Sequence, residues 1–184
     1  MRPIATRAAL LVLLMAVTFD DGVARDVDMN VGPKATRAWT SRDDCERAAP
    51  LPRDDGEARI ASWNIRWFPD GDEANELSPD EHTDVEWLAC AIAHLNVDVI
   101  AVQEFKKHAR ARERASRLLS LLDDRTNGSW DLVLDDCPDE NQPHVGFVYD
   151  SSRIQGSHFW QIDHLNPFPD RCGGAANAGF AGTF

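Results

Sequence analysis

Two short apolar runs, each ending in a polar residue, bracket a segment of helical length. That spacing limits the fold more than any other feature of the chain. The first run is Arg59-Ile60-Ala61-Ser62-Trp63-Asn64-Ile65-Arg66-Trp67-Phe68, and the second is Asp98-Val99-Ile100-Ala101-Val102-Gln103-Glu104. Val97 to Gln103 is almost continuously apolar, as in a strand covered on both faces. Between the runs, Val85, Leu88, Ile92 and Leu95 recur at helical spacing. A strand, a helix and a strand over this length predict an α/β unit. Asn64 and Glu104 would then reach a sheet end together. An amide and a carboxylate held by rigid strands suit a hard cation and a phosphate oxygen.

Local signals extend this frame. The first strand is expected over 58–63, followed by the turn cluster Pro69-Asp70-Gly71-Asp72. Ser78-Pro79-Asp80-Glu81 reads as a capping box with proline at the first helical position, so the helix should run from there to Leu95, with Asn96 ending it. A second helix is expected from Ala109 to Leu122, with Ala111, Ala115, Leu118 and Leu122 inward. Trp130–Asp135, His144–Tyr149 and Ile154–Ile162 read as strands joined by short loops, which predicts a meander. The glycine-rich stretch from Gly173 to Gly179 reads as a loop and lacks the Gly-Lys-Ser/Thr ending of a phosphate-binding loop.

The chain has 184 residues, enough for one domain. Arg2 and Arg7 precede the ten-residue apolar stretch Ala8 to Val17, and Gly22-Val23-Ala24 supplies small residues beyond it. This is the pattern of a secretory signal over 1–24. Ten apolar residues are about half of the ~20 that a membrane helix requires, so no transmembrane anchor is expected. Residues 25–57, with Pro33, Pro50 and Pro52, form an arm or linker, and 58–184 form the folded domain. The expected location is secreted or periplasmic.

A net charge of −12 disfavours tight nucleic-acid binding without a metal, but a bound divalent cation inverts the local field. Four cysteines without a C-x-x-C pair make a zinc site improbable and read as two disulfides in an exported chain. Cys90 falls nearly opposite the apolar stripe of its helix, so it should meet something packed on the outside. The expected pairs are Cys45 with Cys90 and Cys137 with Cys172.

The strand ending in Asn64 and the strand ending in Gln103-Glu104 resemble the start of the endonuclease/exonuclease/phosphatase superfamily, the DNase I-like fold. The resemblance implies an α/β (α+β) mixed-sheet sandwich flanked by helices, of which this chain covers about the first half. It implies that Glu104 coordinates Mg²⁺ or Mn²⁺ and that Asn64 orients the phosphate and the carboxylate. Asn-Ile-Arg in Asn64-Ile65-Arg66 is similar to a segment in which the arginine lies near the substrate backbone, and a guanidinium fits phosphate through two parallel hydrogen bonds. Lys106, Lys107, Arg110, Arg112, Arg114 and Arg117 form a basic run, either a solvated face or a phosphate-attracting patch. Arg117 has Glu113 at i, i+4.

The family's Asp-x-Asn motif and terminal Ser-Asp-His, which would complete the site, are both read as absent from the chain. The expectation is therefore an inactive N-terminal part of an exported, metal-dependent phosphodiesterase, nuclease-like, acting on DNA or RNA by in-line attack of water, in a truncated reading frame. A phospholipid or inositol-phosphate phosphoesterase of the same family, and a non-catalytic exported binding module, are the alternatives. With the second sheet missing, the inner face of the first would be left bare.

Overall fold

A computed structural model describes residues 39–54, 56–71, 82–162 and 179–184. The expected signal, the first part of the arm, the Ser78–Glu81 capping box, Cys172 and most of the glycine-rich stretch lie outside the described residues.

The two apolar runs pair as expected. β1 (Ile60–Phe68) and β2 (Val99–Phe105) are parallel, with Ile60 opposite Val99 and Asn64 opposite Gln103. The crossover contains α2 (Val85–Leu95), since parallel neighbours cannot be joined by a tight turn. This helix begins later than Ser78. Its N-cap is Asp84, whose carboxylate accepts from the Trp87 N–H at 3.0 Å, and Asn96 ends it in a left-handed conformation. α3 (Ala109–Thr126) follows, capped by His108 and running one turn beyond the expected end. Ala111, Ala115, Leu118 and Leu122 are all buried on it.

The meander holds only in part. β3 (Trp130–Leu134) and β4 (His144–Asp150) form an antiparallel hairpin, and β4 also pairs antiparallel with β2, giving the order β1-β2-β4-β3. β5 (Ser157–Ile162) leaves this sheet and pairs with β6 (Gly179–Thr183), a strand not anticipated in the sequence. The architecture is thus mixed α/β, a four-stranded mixed sheet with a small second one. Gly146 belongs where it is, because a β-carbon there would sit on the Val133 carbonyl.

Strand alternation sorts the side chains. Ile65, Ile100, Val102, Trp130 and Val148 share the main core with Leu88 and Ile92 of α2 and Leu118 and Leu122 of α3. Ser62, Asn64, Ala101, Gln103, Phe147 and Tyr149 belong to the opposite face. That face is not left bare. Phe147 and Tyr149 meet Phe159 of β5, Phe147 meets Phe180 of β6, and Phe184 packs edge-on against both. The second sheet therefore caps the β4 side through an aromatic cluster, while Ile60 at the β1 side remains half exposed.

α1 (Arg42–Glu46) falls within the expected arm. Cys45 is bonded to Cys90, as helical phase suggested: Cys90 lies off the stripe of α2, and α1 is what covers it. Arg125 of α3 grips Glu46 through two hydrogen bonds, at 2.6 and 3.0 Å. Because Cys172 is not described, the Cys137–Cys172 pair stays an expectation. Among the described residues no helix is long and apolar enough to cross a membrane.

Replacing Cys45 and Cys90 together by serine should lower stability by about 2–4 kcal/mol, read from urea denaturation under non-reducing conditions. An unchanged midpoint would mean that the bond contributes nothing to holding the arm.

Candidate functional site

The sheet departs from regular pairing at one level on both parallel strands. Pairing shifts register between Asn64 and Phe68 on β1 and between Val102 and Phe105 on β2. Arg66, Trp67 and Glu104 have positive φ there, 49°, 52° and 60°. Non-glycine residues seldom adopt this region, and those that do are mostly Asn, Asp or His. Alternation along β2 would send Glu104 to the side of Ile100 and Val102, into the helix-covered core. The bulge breaks that alternation. Phe105 takes the buried place instead and stacks on Phe68 with ring centres 4.2 Å apart.

The turned-out carboxylate meets Asn64. Asn64 Nδ2 donates to Glu104 Oε1 at 2.7 Å, and Asn64 Oδ1 accepts the Arg66 backbone N–H at 2.8 Å. One amide thus fixes the bulge of its own strand and the carboxylate of the next. Only an amide can do both: an aspartate would lose the donor and set a second negative charge beside Glu104. Among the described residues no cation pairs with Glu104. Gln103 turns to the second face, donating to Ser62 Oγ at 3.0 Å. The site lies at the carboxyl ends of two parallel strands, where open α/β sheets bind their ligands.

The Asn64 and Glu104 side chains are therefore brought together, and Arg66 joins them through its backbone N–H. Arg66 is exposed and makes no ion pair among the described residues. The basic run behaves as a paired surface rather than a patch. Arg112 meets Glu140 at 2.8 Å, Arg117 meets Glu86 at 3.1 Å instead of Glu113, and Arg114 donates to the Thr83 carbonyl.

A group behind the site was missed in the sequence. Asp70, read there as a turn residue, is fully buried with Lys106. Its Oδ2 lies 3.1 Å from Lys106 Nζ and 2.9 Å from His108 Nε2, with Arg110 3.6 Å from Oδ1. Lys106 also stands over the Trp67 ring at 5.3 Å, and its N–H donates to the Phe68 carbonyl. The bulged ends of both strands are thus tied by one buried charge group. The only sequence signal was an acid after one strand end and bases after the other.

His144, left without a role in the sequence, is buried, with Nδ1 at 2.6 Å from Asp135 and Nε2 at 3.0 Å from the Asp139 carbonyl. It pins the loop between β3 and β4. Against the reading that no Asp-x-Asn occurs, Asp139-Glu140-Asn141 in that loop spells it, but Asp139 accepts the Asn141 N–H at 3.1 Å and closes a turn. A second such string, Asp28-Met29-Asn30, lies outside the described residues.

Burial pushes the Asp70, Asp98 and Asp135 carboxyls up, but their partners outweigh it, and all three sit below the usual carboxylate range. His108 and Lys106 do this for Asp70, Arg53 and the Arg59 N–H for Asp98, and His144 and the Val145 N–H for Asp135. No protein-family profile, curated protein or solved structure matches this chain.

Asp70→Asn should destabilise the protein by about 3–5 kcal/mol in urea denaturation, because it removes the buried negative charge on which Lys106 and His108 converge. A change below about 1 kcal/mol would contradict a buried pair. For the wild type, folded carboxyls below their unfolded value of about 3.9 mean that stability is fully present above that pH. It should be lost as pH falls through the folded values. A melting temperature that stays flat from pH 5 to pH 2 would contradict this.

Proposed function

We propose that this chain carries part of the site of an exported phosphoesterase of the endonuclease/exonuclease/phosphatase type, with DNase I-like architecture, that hydrolyses a phosphodiester by in-line attack of water. The observation that carries the reading is the left-handed Glu104, turned out of the core at a bulge and held by Asn64. Such backbone costs of the order of 1–3 kcal/mol and persists where surrounding structure over-determines it, as at functional sites. Glu104 has no cationic partner among the described residues, so an ion pair does not account for its placement.

Glu104 is the residue that would hold Mg²⁺ or Mn²⁺. Among the described residues no group of three or more His, Cys, Asp or Glu side chains could cage an ion. A single carboxylate still fits magnesium, which keeps several waters and takes one or two carboxylates together with substrate phosphate oxygens. The ion would supply charge neutralisation at the phosphoryl oxygens. Asn64 keeps the carboxylate aimed, and Arg66 offers its guanidinium to a neighbouring phosphate.

A non-catalytic exported binding module is the second reading. The aromatic cover of Phe159, Phe180 and Phe184 favours it, since it gives the second face a core of its own.

Titrating Mn²⁺ into ¹⁵N-labelled protein tests the metal. The Asn64 side-chain amide signal should broaden before those near the acidic surface, and Glu104→Ala should abolish that preference. Equal broadening at Asn64 in the variant would remove Glu104 from the site.

A further inference from the structure

A groove of about 360 Å³ opens beside Asn64 and Arg66, between β1, the outer strand of the sheet, and α2. Its walls are apolar and aromatic: Trp63 and Ile65 from β1, and Trp87 and Leu88 from α2. Both indoles are half-buried. The volume falls at the low end of the ~300–1,000 Å³ typical of small-molecule sites. The polar groups at its mouth are already engaged. Asp84 accepts from Trp87 and from Arg42, while the Thr83 N–H donates to the Pro69 carbonyl and its carbonyl accepts from Arg114. Among the described residues, Arg66 is the one cationic group lining the groove, and it carries no ion pair.

We propose that this groove receives a nucleobase next to the phosphate held at Asn64, Arg66 and Glu104, which makes the substrate a nucleic acid strand with unpaired bases. The inference rests on the phosphodiester reading above and narrows its substrate. A base carries one flat apolar face and one phosphate link, which matches an indole-lined slot with a single guanidinium at its rim. Stacking on aromatic side chains tolerates any base, because every base has a π-face. An inositol phosphate would need several hydrogen-bonding and cationic groups, and those at the mouth are spent on each other. Local base binding also suits a chain whose net charge of −12 gives no long-range pull on a polyanion.

The test measures binding of the full chain in Mg²⁺ by fluorescence anisotropy. The probes are an oligothymidylate of about ten nucleotides, within the site sizes known for single-strand binders, and an abasic strand of equal length. The oligothymidylate should bind about five- to a hundredfold more tightly than the abasic strand. Trp87→Leu, which keeps apolar bulk on α2, should erase that difference, Trp87→Phe should keep most of it, and Arg66→Ala should weaken both strands alike. Equal affinity for the two strands, still sensitive to Arg66 and Glu104, would overturn the base site and leave the phosphodiester reading standing. If neither strand binds, or if binding ignores Arg66 and Glu104, both fall. Trp87-dependent binding to phosphatidylcholine vesicles, with strand binding indifferent to Trp87, would assign the groove to an acyl chain and overturn the proposal.

Discussion

Asn64 is the joint on which the proposed site turns. Its amide binds the Arg66 N–H on one side and the Glu104 carboxylate on the other. Two neighbouring parallel strands leave regular pairing at the same level, and each would otherwise be free to relax its own bulge. With one side chain bonded to both, neither can relax alone. This is how strand ends become more precise platforms than loops: the reactive group is aimed by a neighbour that is itself fixed by the ladder.

Below that joint the strand ends are tied a second time. The Phe68–Phe105 stack fills the space that Glu104 vacates, and Asp70, Lys106 and His108 fasten the segments that leave the strands. Burying a lysine and an aspartate brings a large desolvation cost, and the pair is offset only by close geometry and extra donors. Its value here lies in position more than stability, because it fixes where β1 and β2 end. The arm is held in a comparable way on the far side of the helices, by Cys45–Cys90 and by Arg125 on Glu46.

The two faces of the main sheet are finished differently. One is covered by α2 and α3 in a helix-on-sheet core that opens only at the groove between β1 and α2. The other is closed only over β4, by aromatic rings from β5 and β6, while the β1 side stays open beside the proposed site. The proposed binding of a flexible strand rests on this open edge, on Glu104 with its left-handed backbone and on the indole-lined groove.

Much was legible in the sequence because it was local. Alternation and helical period marked the βαβ unit, the inward stripe of α3 and the off-stripe placement of Cys90, since these follow from backbone geometry alone. The chain also carried Asn64 and Glu104 at matching strand ends, which placed them near each other once the strands were parallel. Tertiary structure decided the rest. The departure of β5 to a second sheet and the pairing of Arg117 with Glu86 depend on neighbours far along the chain. So does the turning of Glu104 out of the core, because alternation alone predicts the opposite face. Only when Phe105 claims the buried place and Asn64 offers a donor does the left-handed backbone become the favourable arrangement.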